Sequence, residues 1–167
     1  MRFRFALLSL ALAAPAVAAQ NTPKFGCTEA VHRQFDFWIG EWDVTVQEKP
    51  AGRSSITLEE QGCVIHEHWT GSRGGTGQSF NFYDPVTKDW HQVWVDNSAS
   101  WLHLTGHFAD DKMMLTGVAP GQDNAPTQQR LTFFKNADGT VRQLWETSTD
   151  GKTWSTAFDG LYRKRKT

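Results

Sequence analysis

The chain has 167 residues, 39% hydrophobic and 13% aromatic, with 17 basic against 18 acidic residues and a formal charge of −1. Its one basic run is the tail Arg163-Lys164-Arg165-Lys166, which is too short for a nucleic-acid footprint. Two cysteines with no Cys-x-x-Cys exclude a structural zinc or dithiol redox motif.

Met1 to about Ala19 reads as a secretory signal. Arg2 and Arg4 give the charged start, Phe5 to Ala14 the apolar core, and Ala16-Val17-Ala18 or Val17-Ala18-Ala19 a small-residue cleavage site. The apolar run is too short for a stop-transfer helix, and nothing later approaches a membrane span. Residues 20–167 then form one domain, periplasmic or secreted, long enough to bury a real core. Without Arg2 and Arg4 the basic count falls to 15 and the formal charge to −3. In an exported protein Cys27 and Cys63 are most simply a disulfide, closing a loop of about 35 residues for roughly 3–4 kcal/mol.

Thr28 is placed to cap a short helical turn through Ala30, Val31 and His32. The octet Phe35-Asp36-Phe37-Trp38-Ile39-Gly40-Glu41-Trp42 follows, and Gly40 stands where the backbone must change direction. Trp42, Val44 and Val46 then alternate with polar residues, which is strand periodicity. Lys49-Pro50-Ala51-Gly52 reads as a turn into a strand over Ser54–Glu60. Further strands are expected over Cys63–Thr70, Ser79–Tyr83, Asp89–Asp96, Ser100–His107, Lys112–Gly117, Gln128–Lys135, Val141–Thr147 and Thr153–Lys164. Turn chemistry separates them: the glycine-rich Gly71–Gly77, Asp84-Pro85, Asn97-Ser98, Asp110-Asp111, Asn136–Gly139 and Asp150-Gly151. Val118–Thr127 reads as a surface loop. About ten sequential antiparallel strands close most simply as an all-β, up-and-down barrel, with a β-sandwich as the competing arrangement.

Alternation sorts each strand into two faces. Trp90, Gln92, Trp94 and Asp96 share one face of their strand. Cys63, Ile65, Glu67 and Trp69 share another, as do Val141, Gln143, Trp145 and Thr147. Trp154, Thr156, Phe158 and Tyr162 are expected on one face of the last strand. Eight tryptophans suit an interior that must be filled or must hold something. The candidate ligand-binding wall is Glu67, Trp69, Asn81, Tyr83, Gln92, Trp94, Asp96, Gln143 and Trp145. Glu67, beside Trp69, is the candidate for a carboxylate of raised pKa. His66 and His68 share a strand face, as do His103 and His107, but no third ligand lies nearby in sequence, so no metal or cofactor is assigned. No Gly-x-Ser-x-Gly elbow is present.

Phe35 to Val44 resembles the signature of a family of exported bacterial domains of unknown function grouped with lipocalin-like proteins. Gly62–Trp69, Ser79–Asp84, Trp90–Asp96 and Val141 through Trp154 are similar to further segments of that family. The resemblance implies a lipocalin-like barrel and no particular activity. Gly40-Glu41-Trp42 is also similar to the Gly-x-Trp opening of lipocalins, which implies a basic residue from the final strand across Trp42, here Arg163 or Arg165. The expected function is binding of a small, aromatic or amphipathic molecule. The alternatives are proton-transfer catalysis by Glu67 helped by a histidine, haem or metal carriage, and a structural envelope role.

Overall fold

The computed structural model describes residues 25–121 and 125–166. The signal-like segment lies outside the described residues. Ten strands follow two short 3-10 turns, Ala30–Arg33 and Asp36–Trp38. They are β1 Gly40–Val46, β2 Lys49–Glu59, β3 Val64–Gly71, β4 Thr76–Asp84 and β5 Asp89–Asp96. The rest are β6 Trp101–Ala109, β7 Lys112–Pro120, β8 Pro126–Lys135, β9 Val141–Ser148 and β10 Ser155–Lys164. Each strand pairs antiparallel with its neighbours in sequence, and β1 pairs with β10, Trp42 opposite Lys164 and Val44 opposite Tyr162. The sheet is a closed barrel without a free edge, the arrangement that leaves no unpaired row of backbone donors. A sandwich is therefore excluded.

The aromatic octet closes one end. Phe35, Trp38 and Trp42 are fully buried, and Trp38 stacks on Phe35 at 5.1 Å and meets Phe133 at 4.6 Å. The Trp42 indole nitrogen donates to the Trp38 carbonyl at 2.8 Å, which ties the first wall strand to the plug. Gly40 has φ +139°, and a Cβ there would come within 2.6 Å of the Lys164 amine. That amine lies 4.7 Å from the Trp42 ring centre and donates to the Ile39 carbonyl at 2.7 Å. The basic residue across Trp42 is thus Lys164, because the register puts it opposite Trp42. Arg163 and Arg165 project outward, to Thr45 and to Glu41 and Asp43. Cys27 and Cys63 are bonded, and Cys27 N–H donates to the Gln61 carbonyl, so the segment before the plug is pinned to the start of β3.

Four local expectations change. The first 3-10 turn begins after Glu29, and no side chain caps it, so Thr28 has no capping role. The β1–β2 turn lies at Gln47 and Glu48, both at positive φ, and Lys49 to Gly52 belong to β2. A register shift beside Pro50 absorbs the proline in the ladder. Of the expected loop Val118–Thr127, Val118 to Pro120 belong to β7 and Pro126 and Thr127 to β8, and these ends pair with each other. In β10 a register shift between Thr156 and Phe158 breaks the alternation. Phe158 and Tyr162 face inward, whereas Thr156 is exposed and Trp154 lies under the Arg130 guanidinium, 4.1 Å from its ring centre.

Candidate functional site

The register orders the interior into layers. The plug end carries Phe35, Trp38, Trp90, Met113, Phe133 and Val141, all buried. At the opposite end the interior is not filled. A cavity of about 170 Å³ opens there, walled by Trp69, Trp94, Trp145 and Phe158 with Leu102 and Leu131 between them. Its deeper surface is polar: Glu67, Gln92, Gln143 and Tyr162. Asp96 stands near the mouth, at the end of β5.

The walls are open because glycines stand beside the rings. A Cβ on Gly77 would come within 2.3 Å of the Trp94 ring, and one on Gly52 within 2.6 Å of the Trp69 ring. Both indoles therefore lie against the neighbouring strand, over inward positions that any other residue would occupy. The Trp145 indole N–H donates to Gln129 at 2.8 Å and that of Trp94 to Asp96 at 3.3 Å. With these donors already partnered, the rings present their hydrocarbon surface to a guest.

Glu67 is 5% exposed. Its Oε1 accepts from the Ser54 hydroxyl at 2.8 Å and its Oε2 from the Ser79 hydroxyl at 2.9 Å. Behind Ser79 the bonds run in one direction. Gln92 Nε2 donates to Asn81 Oδ1 at 2.7 Å, and Asn81 Nδ2 donates to Ser79 Oγ at 3.0 Å. Two strands, β2 and β4, thus aim a hydroxyl donor each at one carboxylate, and β5 backs the second through Asn81. Burial drives the Glu67 pKa up to about 7, while the two serine bonds favour the charged form and hold it from rising further. The Tyr162 hydroxyl donates to Gln143 Oε1. Burial, then the Glu67 charge, pushes its pKa well above the ordinary phenol range. Asp96 is the opposite case. Burial opposes its charge, but bonds from Ser98, Ser100 and Trp94 outweigh that and hold its pKa below the usual value.

Seven of the nine wall residues expected from sequence line the cavity: Glu67, Trp69, Gln92, Trp94, Asp96, Gln143 and Trp145. Asn81 and Tyr83 do not. Asn81 is fully buried behind Ser79 and Gln92, bonded also to the Ile65 carbonyl at 3.0 Å. Tyr83 has the same strand parity but sits at the plug end, edge-on to His32 at 5.4 Å and near Trp90. Ser54, Ser79, Leu102, Leu131, Phe158 and Tyr162 complete the site. The first four carry no signal in the sequence because their role depends on cross-strand register, and Phe158 is visible there only as an aromatic sharing a face of the last strand. Tyr162 was visible only as an inward-parity aromatic on the last strand.

No histidine lines the cavity. His66 points outward, between Glu59 and Gln78, with His68 at 4.1 Å from it ring to ring. His91 and His103 bond to each other at 3.0 Å on the outer wall. Glu67 therefore has no imidazole partner inside, and a haem in this cavity would find no axial nitrogen. Among the described residues no three His, Cys, Asp or Glu side chains converge as a metal site.

No protein-family model matches the chain, and no curated protein matches it in sequence. Among the described residues no helix is long and apolar enough to cross a membrane. The Cys27–Cys63 bond is of the kind an oxidising compartment sustains.

Proposed function

We propose that this chain is an exported, lipocalin-like barrel that binds a small molecule with an aromatic or amphipathic body. The observation that carries the reading is the cavity of about 170 Å³ between Trp69, Trp94 and Trp145. An apolar cavity of about 150 Å³ accepts a benzene-sized guest, so one ring system fits here with its substituents directed to the polar floor or the open mouth. The indoles supply contact area, and Glu67, Gln92, Gln143 and Asp96 supply orientation. The likeness of Phe35–Val44 to an exported family, the signal-like N-terminus and the disulfide support placement outside the cytoplasm. Tryptophan emission titrated against a panel of amphipathic metabolites tests the reading. A saturable change with at least one compound supports it, and a flat response to all of them counts against it.

A second reading rests on Glu67 alone. A carboxyl whose pKa is about 7 is matched to proton transfer at neutral pH, and Tyr162 is the neighbouring hydroxyl that would share a bound ligand with it. This reading assigns Glu67 as a general acid or base. Turnover of any bound compound that persists in Glu67→Gln removes it.

A further inference from the structure

On the reading of the cavity as a binding site, we propose that its ligand is an aryl-alkyl ammonium, with the ring between Trp69, Trp94 and Trp145 and the cationic nitrogen on Glu67.

The charge inside the barrel points this way. The lining holds two carboxylates, Glu67 and Asp96, and no lysine, arginine or histidine. A buried carboxylate normally has a cation as partner. The basic side chain next to Glu67 is His66, one residue along the strand and on the outer wall, where its ring is bonded to Glu59 and Gln78. Inside, the carboxylate faces the lumen without a counter-charge.

The hydrogen bonds have the matching polarity. The Ser79 hydroxyl, itself accepting from Asn81 at the end of the Gln92–Asn81 relay, and the Ser54 hydroxyl from the other side donate to Glu67. Each carboxylate oxygen takes one serine bond and has room for another. An ammonium brings N–H donors and positive charge together. A carboxylate ligand would meet two like charges with nothing to pair it.

The walls complete the argument. Indole faces attract organic cations, most strongly where water is excluded. The Trp94 and Trp145 N–H groups are turned to Asp96 and Gln129, so their electropositive edges are occupied. Asp96 stays ionised at the mouth and draws cations toward it.

The groups facing Glu67 from its neighbours are Ser54 on β2, Ser79 on β4, Gln92 and Asp96 on β5, Gln143 on β9 and Tyr162 on β10. Of these Asp96 is already charged and Tyr162 stays protonated near neutrality. The pH dependence of cation binding is therefore dominated by Glu67, with His66 on the outer wall as the remaining titratable neighbour.

The test uses three matched probes on the intact, oxidised protein: benzylammonium, benzyl alcohol and benzoate, followed by tryptophan emission and by calorimetry. At about pH 8 benzylammonium is expected to bind about tenfold or more tighter than benzyl alcohol, with benzoate weakest. Its affinity should fall by up to about tenfold on going to about pH 6, as Glu67 takes up a proton, while the alcohol serves as the control for His66 and other groups. In Glu67→Gln the ratio of ammonium to alcohol affinity should collapse to about twofold or less. Should that variant misfold, the wild-type probe ratio and its pH step decide alone. Benzyl alcohol or benzoate binding as tightly as the ammonium overturns the inference and leaves the binding barrel standing. Failure of all three probes, together with a flat metabolite panel, overturns both.

Discussion

Gly77 lies directly under the indole of Trp94, so close that a Cβ on it would stand 2.3 Å from the ring. The cavity exists because this position on β4, like Gly52 on β2 beneath Trp69, has no side chain. Gly77→Ala is expected to push the Trp94 ring inward, lowering stability by about 1–3 kcal/mol through overpacking and shrinking the cavity. Urea unfolding and the near-ultraviolet circular dichroism of the tryptophans check this. An unchanged midpoint with an unchanged aromatic spectrum would show that the ring does not depend on the glycine.

Glu67 makes stability depend on pH in a direction unusual for a carboxylate. Its pKa is about 7 in the fold against an ordinary 4.5, so between those values the folded state keeps a proton that the unfolded chain releases. Stability therefore declines as pH rises through that window, by on the order of 3 kcal/mol, and levels off above it. Glu67→Gln removes the proton while an amide can still bond to Ser54 and Ser79. The variant should gain on the wild type steadily from about pH 5 to about pH 8. Paired urea titrations at the two ends measure it, and a constant difference between the two proteins would contradict the assignment.

The Cys27–Cys63 bond pins the plug segment to the start of β3, across a sequence separation of 36. Around it Cys27 N–H reaches the Gln61 carbonyl, and Arg33 reaches the Gly62 carbonyl. Replacing both cysteines by serine should cost about 2–4 kcal/mol. Hydrogen exchange should then show the loss of protection beginning at 25–40 and the start of β3 rather than at the β5–β9 wall. Uniform loss around the barrel would mean that the bond stabilises without anchoring the plug.

Alternation made the ten strands and the two faces of β3, β5 and β9 legible, because Trp69, Trp94 and Trp145 repeat their polar companions at a spacing of two. Which face turns inward was not legible, since Val93 and Val95 make the opposite face of β5 apolar as well. Depth along the barrel axis was not legible. Tyr83 shares the parity of the wall residues but belongs to the plug layer, since the strand reaches the closed end there. Ser54 and Ser79 carry no signal in sequence, and they matter only because the register brings β2 and β4 to either side of Glu67. The bulge in β10 left Trp154 and Thr156 outside while Phe158 and Tyr162 remained inside. Lys164 rather than an arginine covers Trp42 for the same reason: the β1–β10 closure decides it, and that pairing joins the two ends of the chain.

Leu102 on β6 faces Trp94 across the strand pair and is a buried part of the cavity wall. Filling the space from this position gives the most direct test of the barrel as a binding protein. Wild-type protein and Leu102→Trp are titrated in parallel, by calorimetry, with each compound that perturbs the wild-type tryptophans, after thermal unfolding has shown both to be folded. Saturable binding at one site in the wild type and its loss in Leu102→Trp is the predicted result. No saturable binding to the wild type, or binding undiminished when the lumen is filled, would contradict it.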